Sequence, residues 1–564
     1  MTVYRSEIRA GAYYDSVVLM QLQRALADLP GVIDAGVVMA TPANCELLEA
    51  SGFTAVPNAG SDDLLIVVKA EDASSADAAI GQVDELLTRR RGSTVQSFRP
   101  RSLEAAVKQL PEADFVLVSV PGRYAASVAR DALRLGKHVF LFSDNVSVAD
   151  EMALKNEGRD KGLLVMGPDC GTAIIDGVGL GFANLVRRGS IGIVGASGTG
   201  MQAISSAIHN LGHGVSQAIG TGGRDLKQEI GAITTRQGLT LLASDPDTRV
   251  IVLVSKPPEK GVAAQLLTMA AGCSKPVVVD FIGYSPPARQ MGPLHFASSL
   301  NDAAQLAVSL AVGTNRNPSE VRQTGDEGSA GFLRGLFSGG TLAYEAMLGL
   351  QAFLQPLYSN IPIFEEQRLD DPLKSREHTV LDLGEDVFTQ GRLHPMMDND
   401  LRLRRMAQEV AEANVSMIML DVVLGEGAHP DPASEIAPAV EQALGEARRA
   451  NRPLDFVVVV IGSDADAQQL EAQVERMSEA GAIVFQDTVE AVNYARMKLA
   501  PTYTDAGQPL KAGAFQGSLA AINVGLETFY DSLVAQGAAA VHVEWRPPAG
   551  GNEKLLALLE QMRS

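Results

Sequence analysis

The chain has 564 residues, of which 46% are hydrophobic and 20% charged, the composition of an ordinary globular protein with room for about three or four domains. Its formal net charge of -20 argues against a nucleic-acid-binding protein, because such proteins need clustered Lys and Arg to meet phosphates. Three cysteines without close spacing predict neither a disulfide framework nor a metal site. The chain starts without an apolar signal region and lacks an apolar run of roughly 18 residues, so we expect a cytoplasmic protein without a membrane partner.

The first 95 residues alternate short apolar strands with helices. This alternation predicts a small α/β domain over residues 1–95, of ferredoxin or ACT-like type. The predicted elements are a strand at Val3–Ala10, a helix at Asp15–Leu29, a strand at Val32–Met39, a helix from Ala43, a strand at Leu64–Val68 and a helix ending near Arg89. The basic run 89–91 then predicts a solvated linker.

Residues 96–188 carry continuous apolar strands separated by helices, which is typical of a parallel sheet covered on both faces in a Rossmann-type domain. Asp144 and Asn145 follow one of these strands, at the carboxyl edge where open α/β sheets bind ligands. They are candidates for hydrogen bonds to a substrate amide, and the alternative is that they cap the next helix. The strands are predicted at Phe115–Val120, Val139–Phe142 and Leu163–Met166.

Residues 189–312 predict a second α/β domain, of flavodoxin type. Gly223, Arg224 and Asp225 follow one predicted strand and Lys256 follows another. Arg224 suits the bidentate recognition of a carboxylate, and the alternative is a salt bridge between Arg224 and Asp225 within the loop. The strands are predicted at Ile191–Val194, Ser216–Ile219, Val250–Val254 and Pro276–Phe281.

Two similar Ser-Gly turns each join a short apolar strand to a helix. The first is Ser197-Gly198-Thr199-Gly200 and the second is Ser338-Gly339-Gly340-Thr341. Such a turn directs backbone N–H groups and the positive end of a helix at an anion, and its hydroxyl can cap the helix or donate to a phosphate. One turn alone is weak evidence, because many are only tight strand-to-helix connections. Two turns in corresponding halves of the chain predict that two helices face one phosphate group.

The remaining residues predict a linker, a third α/β domain and a tail. Residues 313–330 have the composition of an inter-domain linker. Residues 331–505 repeat the strand spacing of the second domain, which indicates a duplicated fold. The tail, residues 506–564, ends in a turn cluster with the only tryptophan, Trp545, which suits either a subunit contact or a buried core position.

These motifs resemble succinyl-CoA synthetase. Residues 166–171 and 191–199 are similar to its α subunit, and the run from Gly335 to about 495 is similar to the carboxy-terminal domain of its β subunit. In that family two helix N-termini, one from each subunit, bind the phosphate of a phosphohistidine, and the two Ser-Gly turns match those positions. The resemblance implies a CoA-binding-like domain at 96–188, an α-like domain at 189–312 and a β-like domain at 331–505. Almost the whole chain also resembles the FdrA family, through the stretches 41–44, 142–146, 162–172, 222–226 and 391–396.

The chain departs from the synthetase pattern at the residues that carry phosphoryl transfer. Pro293 stands where the phosphohistidine would sit, and proline cannot carry a phosphoryl group. Lys256 aligns with the glutamate that supports the phosphohistidine in the synthetase. An ammonium group, which attracts an anion, thus stands where a carboxylate would hold an imidazole. No ATP-grasp domain, Walker P-loop or Gly-rich CoA-phosphate turn is recognisable. The sequence therefore indicates a CoA-ligase scaffold that kept its phosphate cradle and lost its phosphoenzyme and nucleotide machinery.

The resemblance to the FdrA family implies one subunit of an oxamate carbamoyltransferase in allantoin breakdown. The reaction would be phosphorolysis of oxalurate to oxamate and carbamoyl phosphate, without a cofactor or a covalent intermediate. The two turns would bind phosphate, with Lys256, Arg224 and His394 as catalytic candidates. Small anionic substrates and either partner subunits or further copies of the chain are the expected partners.

Two other functions remain open from the sequence. An acyl-CoA synthetase would need a phosphorylatable residue, and His295 is the candidate, although the run 295–298 equally suits the start of a core helix. A non-catalytic assembly subunit would leave the chemistry to its partners.

Overall fold

The computed structural model describes residues 2–10, 16–50, 52–53, 59–60, 63–89, 100–286, 288–313, 331–389, 392–499 and 518–544. The chain divides into two compact units, residues 1–501 and 502–564. The predicted linker residues 90–91 and 314–330, and Trp545, lie outside the described residues. None of the described helices has the length and apolar character needed to cross a membrane.

The first domain is a three-stranded antiparallel sheet covered by helices. β3 is the central strand and is buried on both faces, because its alternate residues pack into two separate apolar clusters. Leu64 and Ile66 face one cluster with Leu26, and Leu65 faces the other with Phe53. The elements are β1 (Val3–Arg9), α1 (Ser16–Ala27), β2 (Val32–Met39), α2 (Pro42–Ala50), β3 (Leu64–Ala70), α3 (Ala73–Gly81) and α4 (Val83–Arg89).

A three-stranded parallel sheet follows, in the order β4-β5-β6. Helix α7 begins with a conventional cap, since the Ser147 side chain accepts a hydrogen bond from the Asp150 N–H. The elements are α5 (Leu103–Gln109), β4 (Phe115–Val118), α6 (Gly122–Arg134), β5 (His138–Leu141), α7 (Val148–Asp160) and β6 (Val165–Met166).

The next domain is an eight-stranded sheet in the order β13-β14-β12-β11-β9-β10-β7-β8. The strands β12, β11, β9 and β10 run parallel, and antiparallel hairpins lie at both edges. His295 lies on β14, paired with Gln290, so the expected core helix at 295–298 is wrong. The elements are β7 (Thr172–Ile175), β8 (Val178–Gly181), β9 (Arg188–Ala196), α8 (Gly198–Asn210), β10 (Val215–Gly220), α9 (Ile233–Ser244), β11 (Val250–Ser255), α10 (Lys260–Ala271), β12 (Val277–Phe281), β13 (Gln290–Met291), β14 (Leu294–Phe296) and α11 (Leu300–Val312).

The last large domain is a six-stranded parallel sheet in the order β16-β17-β15-β18-β19-β20. Its β18 is buried along its whole length, as expected for a central strand with helices on both faces. The elements are β15 (Phe332–Phe337), α12 (Gly340–Leu350), β16 (Leu357–Ser359), a 3₁₀ helix (Glu365–Gln367), β17 (His378–Asp382), α13 (Asp386–Thr389), α14 (Asp400–Ala411), β18 (Val415–Val423), α15 (Pro432–Arg449), β19 (Asp455–Ile461), α16 (Leu470–Glu479), β20 (Ile483–Phe485) and α17 (Thr488–Leu499).

One apolar core joins these two large sheets. Helix α8 packs against α11 and α12, and the cluster includes Met201 and Ile204 of α8 together with Leu342 and Met347 of α12. The N-termini of α8 and α12 are therefore held close to each other by core packing. The architecture confirms the prediction of several parallel-sheet α/β domains behind a small α/β domain.

The second compact unit is small. It contains β21 (Ala520–Val524), α18 (Glu527–Ala535) and β22 (Ala539–Val543), and its two strands pair in parallel.

Candidate functional site

A cavity of about 1070 Å³ lies at the carboxyl ends of parallel strands from three sheets. Its wall takes in the residues after β4, β5 and β6, the starts of α8 and α12, and the loop after β17. This is the edge at which open α/β sheets bind ligands, and it gathers loops that are far apart in sequence.

The small N-terminal domain covers one side of this cavity. Leu19 and Met39 contribute to the wall. The domain is held there by Arg404, whose guanidinium donates to both carboxylate oxygens of Asp34 at 2.9 and 3.1 Å. Arg392 adds a hydrogen bond of 2.5 Å to the side-chain oxygen of Asn44.

The first Ser-Gly turn starts α8 in the way its sequence predicts. The Ser197 hydroxyl accepts a hydrogen bond of 3.1 Å from the Gly200 N–H, which caps the helix. A Cβ at Gly200 would lie 2.3 Å from the Ser197 Oγ, so the cap requires glycine at this position. Ser197, Gly198 and Thr199 all contribute to the cavity wall.

The second turn has the same sequence pattern but a different set of bonds. Ser338 donates to Asp421 Oδ1 through its N–H at 2.7 Å and its hydroxyl at 2.9 Å, and the Gly339 N–H donates to Oδ2 at 2.8 Å. Asp421 is itself paired with Arg402, at 3.1 Å. In contrast to the prediction, Ser338 and Gly339 direct these donors at an internal carboxylate, although both residues contribute to the cavity wall together with Gly340 and Thr341.

The two turns meet, as the duplicated motif predicts. The hydroxyl oxygens of Ser197 and Thr341 lie 2.6 Å apart. A Cβ at Gly339 would lie 2.7 Å from Thr199 Cγ2, so the two turns approach more closely than a larger residue would allow. The positive ends of two helices thus converge on one point of the cavity wall.

Lys256 and Asp382 lie beside this meeting point. The Lys256 ammonium is 3.9 Å from Asp382 Oδ2, and the Lys256 side chain remains 38% exposed. A Cβ at Gly340 would lie 2.0 Å from Asp382 Oδ2 and 2.9 Å from Lys256 Nζ, which places both groups against the first residue of α12. Burial raises the pKa of Asp382 to about 7, with Lys256 acting in the opposite direction.

Sequence reasoning missed Asp382. The signal was present, because an acidic residue ends the apolar strand β17 and is followed within two residues by Gly384. Asp382 thus stands at the carboxyl end of a parallel strand, the same kind of position as Asp144.

His394 belongs to the same wall. Burial, together with Arg402, lowers the pKa of His394 to about 4, so its imidazole is neutral at physiological pH. Its Nδ1 accepts from the Met396 N–H at 3.2 Å, which assigns the ring hydrogen to Nε2. A Cβ at Gly384 would lie 2.7 Å from Nε2 and 3.1 Å from Asp382 Oδ1, so the imidazole and this carboxylate lie around the same glycine.

Arg224 lines the cavity but has protein partners. Its Nε lies 3.0 Å from Glu151 Oε2, and its Nη2 donates to the Val146 carbonyl oxygen at 2.7 Å. These contacts take the place of the salt bridge between Arg224 and Asp225 that was the predicted alternative. Arg224 is therefore a fixed charge of the wall, with Gly223 beside it.

Asp225 supports the wall from behind. It is fully buried, and its carboxylate pairs with Lys155 at 2.7 Å and accepts from the N–H and hydroxyl of Thr235 at 2.9 and 2.6 Å. These bonds leave it no role at the cavity surface, in contrast to its prediction as a substrate ligand.

Acidic side chains also line the cavity. Asp169 is exposed at the cavity wall, where reduced hydration and the carboxylates of Asp144 and Asp386 raise its pKa to about 7 and Lys256 opposes this shift. Asn145 is in the left-handed region with φ of 52° and is exposed in the same loop as Asp144. Asp144 and Asn145 thus both reach the cavity, as the sequence predicts.

His295 lies on β14, near the far edge of the eight-stranded sheet, and is not part of the cavity wall. His394 is the one histidine among the described residues of that wall. Residue 293 is proline, and His394 is therefore the histidine that the described residues place near the two turns.

Three family models match the chain. Residues 1–101 match a domain described as "AllF, heavy metal-associated domain", residues 186–283 a "CoA binding domain" and residues 336–497 a "CoA-ligase". Among the described residues, no three His, Cys, Asp or Glu side chains converge as a metal ion would require, and residues 1–101 contain the single cysteine Cys45. The residues present therefore do not fit a heavy-metal centre.

Individual relatives extend this similarity. The uncharacterized protein YahF of Escherichia coli is 41% identical over 490 residues, which cover 85% of this chain and 95% of YahF. The ADP-forming succinate–CoA ligase subunit alpha 2 of Archaeoglobus fulgidus is 29% identical over 198 residues, which cover 34% of this chain and 66% of that subunit. The solved apo structure of a dinucleotide-forming acetyl-coenzyme A synthetase from Ca. Korarchaeum cryptofilum is 16% identical, with a TM-score of 0.30 over 69% of this chain and 85% of that chain. The sequence relatives and family models show a succinyl-CoA synthetase-like scaffold.

Proposed function

The chain belongs to the FdrA-like family that includes YahF, and on this premise we propose that it transfers a carbamoyl group between a small carboxylate-bearing amide and phosphate. The reaction we favour is that of an oxamate carbamoyltransferase, oxalurate plus phosphate giving oxamate plus carbamoyl phosphate. The chain would act together with partner subunits and without a cofactor.

One observation carries this proposal. The N-termini of α8 and α12 converge at the contact of 2.6 Å between Ser197 and Thr341, with the Lys256 ammonium beside them, and no histidine takes the position at Pro293. Such a cradle binds the phosphate dianion directly instead of a phosphorylated side chain. Direct attack by bound phosphate on a carbamoyl carbon needs no covalent enzyme intermediate.

The wall supplies groups for both ends of a carbamoyl donor. Lys256 would balance the charge of phosphate and of the oxyanion that develops on the carbamoyl oxygen, which is where fixed positive groups contribute most to rate. The neutral His394 can donate from Nε2 to a carbonyl oxygen. Asp144 and Asn145 can accept from and donate to an amide group, and Arg224 adds a fixed positive charge for a carboxylate.

A second candidate function is an acyl-CoA ligase of the succinyl-CoA synthetase type. The matches of residues 186–283 and 336–497 to the CoA-binding and CoA-ligase models favour it. It would require CoA and a nucleotide, and a phosphoryl carrier other than Pro293. An assembly subunit without chemistry of its own is the remaining alternative.

Calorimetry of the full chain with phosphate, carbamoyl phosphate, ADP and CoA tests these functions. We expect phosphate and carbamoyl phosphate to bind, and Ser197→Asp and Thr341→Asp each to abolish that binding because an acid then occupies the cradle. Ser434→Asp is the matched control, since Ser434 is exposed in the first turn of α15 outside the cavity. Binding of CoA with ADP would instead favour the ligase. Absence of binding for all four ligands would favour an assembly subunit.

A catalytic assay completes the test. The chain, with its partner subunits reconstituted, should release carbamoyl phosphate from oxalurate only when phosphate is present. Loss of this activity by about 100-fold or more in Lys256→Met would support a catalytic role, because removing one electrostatic group from a transition-state site has effects of that order. Unchanged turnover would contradict it.

A further inference from the structure

Asp382 is placed by the sheet beside the second turn. It ends β17 and pairs in register with Phe337, the last residue of β15, so its side chain lies next to the turn that starts α12. The Gly384 N–H donates to Oδ1 at 2.9 Å. The other oxygen, Oδ2, lies against Gly340 and 3.9 Å from Lys256 Nζ. One oxygen is therefore anchored and the other faces the cradle.

The side chain of Asp382 is 5% exposed, yet the residue belongs to the cavity wall. Charged and titratable groups face it from several elements: Lys256 after β11, Glu385 after β17 and Asp421 on β18, with the neutral imidazole of His394 across Gly384. The two acids and burial favour the protonated carboxyl, and Lys256 favours the carboxylate. Both protonation states are therefore accessible near neutral pH, as proton transfer requires.

We propose that Asp382 is the catalytic carboxyl of this reaction. Through Oδ2, at the mouth of the phosphate cradle, it exchanges a proton with the amide nitrogen that the carbamoyl carbon leaves. This inference rests on the proposed function and names a residue for it.

The step balances without a further reactant. A phosphate oxygen forms a bond to the carbamoyl carbon while the bond from that carbon to the amide nitrogen breaks. The leaving nitrogen takes its electron pair from the broken bond and its proton from the Asp382 carboxyl. The carboxylate that remains is reprotonated by the acidic proton of the phosphate that entered. In the reverse direction the Asp382 carboxylate accepts the proton that the attacking amide nitrogen loses.

The neighbouring groups suit this step less well. Nδ1 of His394 already accepts from the Met396 N–H, and with a pKa of about 4 the imidazole holds no additional proton to give at neutral pH. Asp169 is exposed, whereas Asp382 is buried, and the Oδ2 of Asp169 lies near Gly223, where a Cβ would approach it to 3.3 Å. Asp382 is the acid placed against the start of α12.

The first test needs no turnover. Sulfate does not titrate near neutral pH, so any proton taken up when it binds belongs to the protein. An anion in the cradle should raise the pKa of Asp382, so calorimetry at about pH 8 in two buffers of different ionisation enthalpy should detect uptake of at most about one proton. Asp382→Asn should bind sulfate at least as tightly and take up fewer protons, the remainder entering Asp169, whose pKa is also about 7. Equal uptake by Asp382→Asn, or loss of uptake in Asp169→Asn alone, would overturn the proposal.

The second test uses turnover of oxalurate by the reconstituted enzyme. Asp382→Asn should lose about 100- to 10,000-fold in kcat with little change in KM for phosphate, the range of general acid–base catalysis. Asp382→Glu should recover part of the rate, and formate should partly rescue Asp382→Gly. Asp370→Asn is the matched control, because Asp370 is exposed and outside the cavity.

The outcomes separate the inference from the function. If the wild type turns over oxalurate and Asp382→Asn does so equally well, the inference fails and the function stands. If the wild type binds sulfate with proton uptake through Asp382 but never transfers a carbamoyl group, the carbamoyl function fails while Asp382 remains a proton-exchanging group of the cradle. If neither phosphate nor sulfate binds, both are overturned.

Discussion

The two Ser-Gly turns share a sequence pattern and face each other, yet different residues stabilise them. The first is capped within its own motif, by the Ser197 hydroxyl on the Gly200 N–H. The second is held by Asp421, which comes from the neighbouring strand β18 and carries its own counter-ion, Arg402. A repeated motif therefore predicted where the helix ends lie, but not whether their donors were available. Variants of the two turns, and of the packing behind them, should therefore lose different amounts of stability.

Asp421→Ala should be the most damaging change, because it leaves the Arg402 guanidinium buried without its counter-ion and removes the acceptor of the second turn. We expect a loss of about 3–5 kcal/mol in the free energy of unfolding, the usual consequence of breaking a buried pair. Urea denaturation measures it, with the exposed Asp370→Asn as control. A loss below about 1 kcal/mol would show that the second turn does not depend on Asp421.

Asp280→Asn tests the packing between the two halves. Asp280 on β12 is buried, its Oδ2 has no hydrogen-bond partner among the described residues, and burial with the nearby Glu345 of α12 raises its pKa to about 8. The folded state thus binds more protons than the unfolded one, so stability present below the unfolded pKa is lost as pH rises through about 8.

The wild type should therefore become less stable between about pH 5 and pH 8.5. Asp280→Asn should lose less free energy of unfolding over this range, and the two losses should differ by more than about 1 kcal/mol. Thermal denaturation across this range measures the difference. Asp280→Asn should still lose some stability as the pH rises, because burial also raises the pKa of Glu345 to about 7. Identical slopes for the two proteins would contradict the assignment.

Gly200→Ala and Gly340→Ala compare the two turns directly. The first Cβ would meet the Ser197 hydroxyl at 2.3 Å and the second would meet Asp382 Oδ2 at 2.0 Å. Each should cost about 1–3 kcal/mol of stability, as overpacking does. Gly340→Ala should in addition displace Asp382 and Lys256 and therefore weaken phosphate binding more than Gly200→Ala does. Gly445→Ala, where the nearest atom is 3.7 Å away, is the control.

Ser197→Ala and Ser338→Ala should give the smallest effects and still differ. Loss of the helix cap in Ser197→Ala should cost about 1 kcal/mol. Ser338→Ala removes one hydrogen bond but leaves both N–H groups on Asp421, so about 0.5 kcal/mol is expected. Chemical denaturation under one set of conditions compares them, and equal losses would remove the distinction between the turns.

The fold was largely predictable from the sequence, because apolar strands and the helices between them carry local signals. Strand β2 begins and ends at the predicted residues, and the duplicated turns do meet. His295 was misassigned, since a short edge strand after Pro293 depends on pairing with distant residues and leaves no periodicity to read.

The candidate site was harder to predict because its bonds connect distant parts of the chain. The sequence shows Arg224 beside Asp225, yet the structure pairs Arg224 with Glu151 and Asp225 with Lys155. Likewise, nothing in the local sequence of the second turn indicates that Asp421, more than 80 residues later, takes its donors. Adjacent residues in a loop are poor guides to which charges pair across a parallel sheet.

The cover that the N-terminal domain places over the cavity has a consequence for how this family could diversify. Leu19 and Met39 come from a segment that lies outside the matches to the CoA-ligase and CoA-binding models, whereas the helix ends beneath them lie within those matches. The residues that cover the cavity on this side and the two helix ends therefore belong to separate domains. Exchange of the first domain between relatives would change the side chains that cover the cavity and leave the two helix ends in place.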